Sequence, residues 1–222
     1  MVSMPQDFCK PTDDPREVRL FHICHLANLA SILEDQSLLP LNILIAQGKA
    51  HRSIAREDLQ ARRDETTIPC GPQGNLHDYV PFYFAARSPM LGAISRADFK
   101  VQNEILTLVS AVGTIRKAAC QCVFTDGHPL TRFSQFGDDL SQLPAILDWE
   151  TLQSVYWNKT PEFPDRLRKR QAEFLVHGAV PWATINGIAV RTPYAQERVQ
   201  TILANFPHQP RIAVRPEWYF EF

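Results

Sequence analysis

The sequence predicts a mixed α+β fold with a largely antiparallel core. Short apolar runs of strand character recur along the 222 residues. Helical patterns fall between them without the regular strand–helix alternation of a doubly wound parallel sheet. Seventeen prolines against nine glycines imply rigid connections and much irregular structure.

Residues 18–23 read as the first strand. Residues 26–35 follow as an amphipathic helix, with Leu26, Leu29, Ile32 and Leu33 on one face. Ser53 can accept from an early backbone amide and so cap a helix running to Arg63. Residues 66–74 form a loop punctuated by Pro69, Pro72 and two glycines. Residues 80–84 are a short aromatic strand, and 89–97 turn back as a helix. Residues 105–109 are apolar throughout, as in a buried strand, and 121–124 read as another. Asp148 caps a helix through Trp157, with Leu152, Val155 and Tyr156 on one side. Residues 173–176, 188–190 and 212–214 are later strands. Residues 194–206 form an amphipathic helix, with Val199, Ile202, Leu203 and Phe206 at helical spacing. Residues 1–17 are assigned to a flexible N-terminal segment and 18–222 to a single domain.

The formal net charge is −1, so an anionic partner must be held by local basic clusters, not by a global field. Five cysteines without a C-x-x-C pair read as reduced thiols in a cytoplasmic protein. No apolar stretch approaches the ~20 residues of a membrane helix, and no apolar leader precedes the first strand. G-x-G-x-x-G, P-loop and H-E-x-x-H patterns are absent, which argues against Rossmann, P-loop and zincin chemistry. His22 and His25, three apart on a strand, face opposite ways and do not form a metal pair.

Three polar residues stand inside apolar runs: His22 in Leu20-Phe21-His22-Ile23-Cys24, Tyr83 in Val80-Pro81-Phe82-Tyr83-Phe84, and Glu173 in Ala172-Glu173-Phe174-Leu175-Val176. A carboxylate opening a strand faces either solvent, as an ordinary salt-bridge partner, or a cleft, where its charge is useful. A histidine in such a run is often a hydrogen-bonded core residue. Tyr83 points opposite to Phe82 and Phe84 and is free to line a cleft. Five basic residues lie between Lys49 and Arg63, and Arg166, Arg168, Lys169 and Arg170 form a second cluster before Glu173. Both can be solvated helix faces or, with Trp149, Tyr156 and Trp157 as stacking faces, a single-stranded nucleic-acid surface. The tryptophans fit the core better.

These segments, taken in order, resemble the DarT family of DNA ADP-ribosyltransferase toxins. The matching pieces are Phe21-His22-Ile23-Cys24-His25, Arg52-Ser53-Ile54-Ala55 with Arg62-Arg63, Leu76-His77-Asp78-Tyr79-Val80-Pro81-Phe82-Tyr83-Phe84, Arg87-Ser88-Pro89-Met90, Val123-Phe124-Thr125-Asp126 and Lys169-Arg170-Gln171-Ala172-Glu173-Phe174-Leu175. The resemblance implies an ADP-ribosyltransferase fold, two facing, mostly antiparallel sheets forming a split NAD cleft with peripheral helices. It implies transfer of ADP-ribose from NAD, a consumed co-substrate, onto a base in single-stranded DNA, thymidine in the most similar branch. It also implies a macrodomain antitoxin partner, with no metal and no membrane.

Carried over by position, Glu173 and Arg63 would be catalytic. His22, Cys24, Arg52, Tyr83 and Tyr79 would bind NAD. From the basic clusters, Arg56, Arg62, Arg168 and Arg170, with His77 and His128, are the candidates to face DNA, and the resemblance puts the substrate loop in the stretch 134–171. Cys24 stands where the family usually has threonine. Such chemistry requires a grip on NAD, negative charge or a hydrogen bond at the reacting ribose, and an acceptor held in line. A carboxylate suits that environment, as in glycosidases. Other acceptors (guanosine, RNA or protein), a silent NAD- or nucleic-acid-binding module, and a structural protein with only surface ion pairs are the competing readings.

Overall fold

The computed structural model describes residues 9–221. Its strands are β1 (Arg19–His25), β2 (Ser37–Leu38), β3 (Tyr79–Tyr83), β4 (Ile105–Ala111), β5 (Cys122–Thr125), β6 (Phe136–Gly137), β7 (Glu173–His177), β8 (Val180–Pro181), β9 (Gly187–Val190) and β10 (Arg211–Val214). The helices are α1 (Leu29–Glu34), α2 (Leu41–Ala46), α3 (Glu57–Glu65), α4 (Pro89–Ala97), α5 (Val112–Lys117), α6 (Leu143–Ile146), α7 (Trp149–Gln153), α8 (Arg166–Lys169) and α9 (Pro193–Leu203).

Eight strands form one sheet in the order β10-β9-β4-β1-β3-β7-β5-β6, and β2 pairs with β8 beside it. Every pairing in the large sheet is antiparallel except β9 with β10, which α9 joins as the crossover a parallel pair requires. The sheet is nearly cut in two. β1 is zipped to β4 along its whole length, but it meets β3 only at Phe21 opposite Tyr83. The halves β10-β9-β4-β1 and β3-β7-β5-β6 part beyond that pair, which gives the expected two-sheet split.

Pro81 accounts for where they part. In an antiparallel strand the N–H and C=O of one residue point to the same neighbour. Pro81 turns its carbonyl toward β1, where it accepts from His22 Nδ1 at 2.8 Å. Its missing N–H therefore faces the gap and takes nothing from the β3–β7 ladder.

The strands alternate between two environments. Val80, Phe82, Phe174 and Val176 enter the main core, together with Leu20, Phe21, Leu106, Leu108 and Trp182. Tyr79, Val123 and Leu175 join a smaller cluster with Ile68 and Leu76. Glu173 shares the side of β7 that carries Leu175, since side chains two apart share a face.

Several elements differ from their expected extents. The helix expected from Ser53 starts only at Glu57. Ser53 Oγ accepts from the Ala55 amide at 3.2 Å in a local turn, and Arg56 occupies the N-cap without a side-chain bond. At 26–35 the first turn is 3-10, because His25 Nδ1 accepts from the Ala27 amide at 3.0 Å. Asp148 does cap α7, accepting from Thr151 N at 2.9 Å, but the helix stops at Gln153 and does not reach Trp157. Of the segment 1–17, residues 1–8 lie outside the described residues. Cys9 is buried, and Pro15–Glu17 form a 3-10 turn capped by Asp14.

Arg170 explains the short α7 and corrects one expectation. It is not on a DNA-facing surface but is 1 % exposed. Its guanidinium donates to the carbonyls of Thr151 (3.0 Å), Leu152 and Ser154 (3.3 Å), and to Arg87 O (2.8 Å), with its plane over Trp157. These carbonyls at the end of α7 find their partner in a side chain three residues before Glu173. Trp157 is itself core, while Tyr156 is exposed.

Arg170→Met strands several buried carbonyls at about 1–3 kcal/mol each. The expected result is a loss of about 3 kcal/mol or more in unfolding free energy by urea titration. Arg170→Lys recovers only part, because a lysine cannot fork between two segments. An unchanged midpoint for Arg170→Met overturns this account.

Candidate active site

The parted strands open onto a cavity of about 210 Å³. β1 contributes His22 and Cys24, β3 contributes Pro81 and Tyr83, and the far wall is the stretch 50–55 with Gln60 and Arg63 of α3. Asn28 fixes that wall through both backbone groups of Arg52. Its side-chain amide donates to Arg52 O at 3.0 Å and its Oδ1 accepts from Arg52 N at 2.7 Å.

His22 is held from behind. Because a carbonyl only accepts, the 2.8 Å contact with Pro81 O puts the proton on Nδ1 and leaves Nε2 as an acceptor. Burial holds this imidazole below its ordinary pKa, with the Pro81 carbonyl opposing, so the ring is neutral at pH 7. Cys24 is buried and its thiol is pushed up to about 12, which makes it an inert lining group.

Glu173 and Arg63, 110 residues apart, form a bidentate pair: Arg63 Nη1 and Nη2 donate to Oε1 and Oε2, each at 3.1 Å. Their side chains are only 5 % and 13 % exposed. Burial works against the Arg63 cation, but the Glu173 charge and its hydrogen bonds outweigh that and hold its pKa above the ordinary value. The Glu173 amide donates to Thr125 Oγ1 at 3.0 Å, and that hydroxyl donates to Gly127 O at 2.7 Å. Tyr83 is directly across the ladder from Glu173. Burial raises its phenol pKa, reinforced by the Glu173 charge, and its hydroxyl rests on Met90 Sδ at 3.5 Å.

His77 is buried under α3 and does not face DNA. Its Nε2 donates to Gln60 Oε1 at 2.9 Å, and its Nδ1 lies 3.3 Å from the Asp64 carboxylate. It thus grips α3 on either side of Arg63. Tyr79 borders the cavity, but its ring packs on His177 and its hydroxyl donates to Gln73 O at 2.7 Å, so it offers no stacking face. Phe82 is wholly in the main core. Arg168 is also committed, to Asp126 at 2.8 Å, Asp165 at 2.7 Å and Ser134 Oγ at 3.1 Å.

Arg52, Arg56 and Arg62 are exposed. Arg56 pairs with Asp58, and Arg62 donates to Leu130 O at 3.1 Å, linking α3 to the loop after β5. His128 lies on that loop. Its Nδ1 accepts from the Leu130 amide at 3.1 Å, which leaves the Nε2 proton for another partner. Burial lowers its pKa, and the fields of Glu173, Arg63 and Arg62 all reach it. Thr125, Asn28 and Gln60 escaped the sequence reading. Of these only Thr125 carried a signal, inside Val123-Phe124-Thr125-Asp126. Among the described residues no group of three or more His, Cys, Asp or Glu could hold a metal ion, and no helix is long and apolar enough to cross a membrane.

The family model described as "ssDNA thymidine ADP-ribosyltransferase, DarT" matches residues 21–220. A DNA ADP-ribosyl transferase of Thermus sp. (strain 2.9) is 42 % identical over 211 residues, covering 93 % of this chain and 98 % of that one. The solved structure of Thermus sp. 2.9 DarT in complex with ADP-ribosylated single-stranded DNA superposes with a TM-score of 0.86 at 40 % identity, covering 95 % of this chain and all of the other. The same Thermus protein in complex with NAD+ gives 0.82, covering 93 % and 99 %. With the split sheet and the match over nearly its whole length, the chain belongs to the DarT family of DNA ADP-ribosyltransferases.

Proposed function

We propose that the Arg63–Glu173 pair at the mouth of the split cleft carries out the transfer of ADP-ribose from NAD to thymidine in single-stranded DNA. The bidentate pair, buried opposite Tyr83 and beside the cavity that His22 lines, is the observation that carries this reading.

His22, with Nε2 as acceptor, takes a hydrogen bond from a ribose hydroxyl of NAD. Tyr83 supplies an aromatic face for the nicotinamide, and the wall from Ala50 to Ala55, with Arg52, closes over the dinucleotide. In the reaction the bond between ribose and nicotinamide breaks, and a bond from that ribose carbon to thymine N3 forms. The N3 proton leaves. Each Glu173 oxygen keeps a second lone pair while paired with Arg63, so the carboxylate can accept that proton or orient the ribose. Arg63 stays charged and planar and stabilises negative charge on the thymine carbonyls. His128, with its proton on Nε2, faces the acceptor base together with Arg62. Base pairing hides N3, so the acceptor strand is unpaired.

The same reading makes the protein a toxin of the cytoplasm, where its five free thiols stay reduced. Its partner is an antitoxin of the macrodomain type that removes the modification.

Two outcomes test the assignments. Glu173→Gln and Arg63→Ala each lower modification of thymine-containing single-stranded oligonucleotides about 10²–10⁴-fold, read by mass spectrometry. Full activity in either variant removes that residue from the chemistry. The second test is pH. A lowered His22 pKa means the acceptor nitrogen is present above the ordinary imidazole value and is lost as pH falls. The KM for NAD is therefore flat through and above the ordinary imidazole range, and any rise is confined to more acidic pH. A KM for NAD that rises toward alkaline pH, or that His22→Ala leaves unchanged at neutral pH, rejects the role of His22.

A further inference from the structure

We propose that Phe133 is a stacking platform for the unpaired base next to the acceptor nucleotide. The proposal rests on the DNA-modifying reading above. Phe133 is 83 % exposed, more than any other large apolar side chain among the described residues. Single exposed apolar residues are common on protein surfaces, so exposure alone means little. Its mounting and its position give it meaning.

The mounting is rigid. The loop 126–135 is closed at its base by Asp126 N donating to Gln135 O (3.2 Å) and Gln135 N donating to the Asp126 carboxylate (2.8 Å). Inside it, Ser134 Oγ donates to His128 O at 2.7 Å and Ser134 N to Thr131 O at 2.9 Å. Arg168 spans the loop from Asp126 to Ser134 Oγ, at 2.8 and 3.1 Å. This web holds the loop around Phe133, and the ring stands outward from it.

The position is beside the chemistry. The loop leaves β5 directly after Thr125, whose hydroxyl receives the Glu173 amide. Arg62, next to Arg63 on α3, donates to its Leu130 carbonyl. Phe133 adjoins Ser134, which touches His128, so it rides on a loop tied to both the helix of Arg63 and the strand of Glu173. Its neighbours select the occupant. Arg132 and Gln135 are exposed with it, and Arg62 is exposed across the gap. One aromatic face ringed by cationic and polar side chains suits a base on a phosphate backbone. An apolar protein partner would need a wider patch.

The test uses the full chain and single-stranded oligonucleotides with one thymine, intact or with an abasic position on either side of it. Phe133→Ala is expected to raise the KM for intact DNA about tenfold, within the span of base–aromatic stacking, while kcat and the KM for NAD hold. Phe133→Tyr and Phe133→Trp retain wild-type values. For the wild type, one of the two abasic strands carries the same penalty. For Phe133→Ala that strand and the intact strand become equivalent. An unchanged KM in Phe133→Ala, or the same abasic penalty in both proteins, overturns the proposal. A wild type that modifies no strand at all overturns the DNA reading beneath it instead, so the two failures are distinct. The thermal midpoint of Phe133→Ala should match the wild type, because the ring buries little.

Discussion

The molecule depends on an interruption in its own hydrogen bonding. A continuous eight-stranded sheet would bury β1 against β3 and leave no room between them. One ladder position, Phe21 with Tyr83, holds the halves together, and beyond it a proline presents a carbonyl without a matching donor. The imidazole of His22 takes that carbonyl. The groove, the tautomer of the histidine and the place of Tyr83 on its wall, across from Glu173, all follow from this parting. A side chain therefore does two jobs at once, satisfying the frayed backbone on one side and showing an acceptor to the cavity on the other.

Around the groove the charges are mostly committed in pairs. Arg63 is matched by Glu173, Arg168 by Asp126 and Asp165, and Arg56 by Asp58. This is how a chain of formal net charge −1 can surround a groove with arginines. Partly buried pairs of this kind set geometry more than they add stability. They hold the loop after β5, strand β7 and α3 in one frame, and the neutral, directional groups (His22, His128, Tyr83, Thr125) supply the finer contacts.

Much of this was legible in the sequence where a residue contradicted its local pattern. His22, Tyr83 and Glu173 stood out as polar groups in apolar runs, and all three line or adjoin the cleft. The strands were legible for the same reason, since their apolar runs are short and self-contained. What misled was like charge close in sequence. The run from Arg166 to Arg170 reads as a basic surface, yet Arg170 turns inward to carbonyls 16 to 19 residues earlier, and Arg168 to Asp126, 42 residues away. Tyr79 and His77 hid their internal partners for the same reason: Gln73, Gln60 and Asp64 are met only after the chain folds back. Local pattern reports which residues are out of place, but not whether the missing partner is solvent, substrate or a distant part of the chain.

Helix α3 supplies a last consequence. It carries the arginine that pairs with Glu173, yet it contains no buried residue. With no apolar face to seat it, it is held by the Arg63–Glu173 pair, the Gln60 and Asp64 contacts with His77, and the link from Arg62 to Leu130. Contacts of this kind weaken with ionic strength wherever water reaches them, whereas apolar packing does not. Added salt will therefore loosen this wall of the groove before it disturbs the sheet. Amide exchange in α3 should quicken at high ionic strength while β4 and β7 remain protected, because its solvent-facing contacts are screened and the apolar packing of the strands is not.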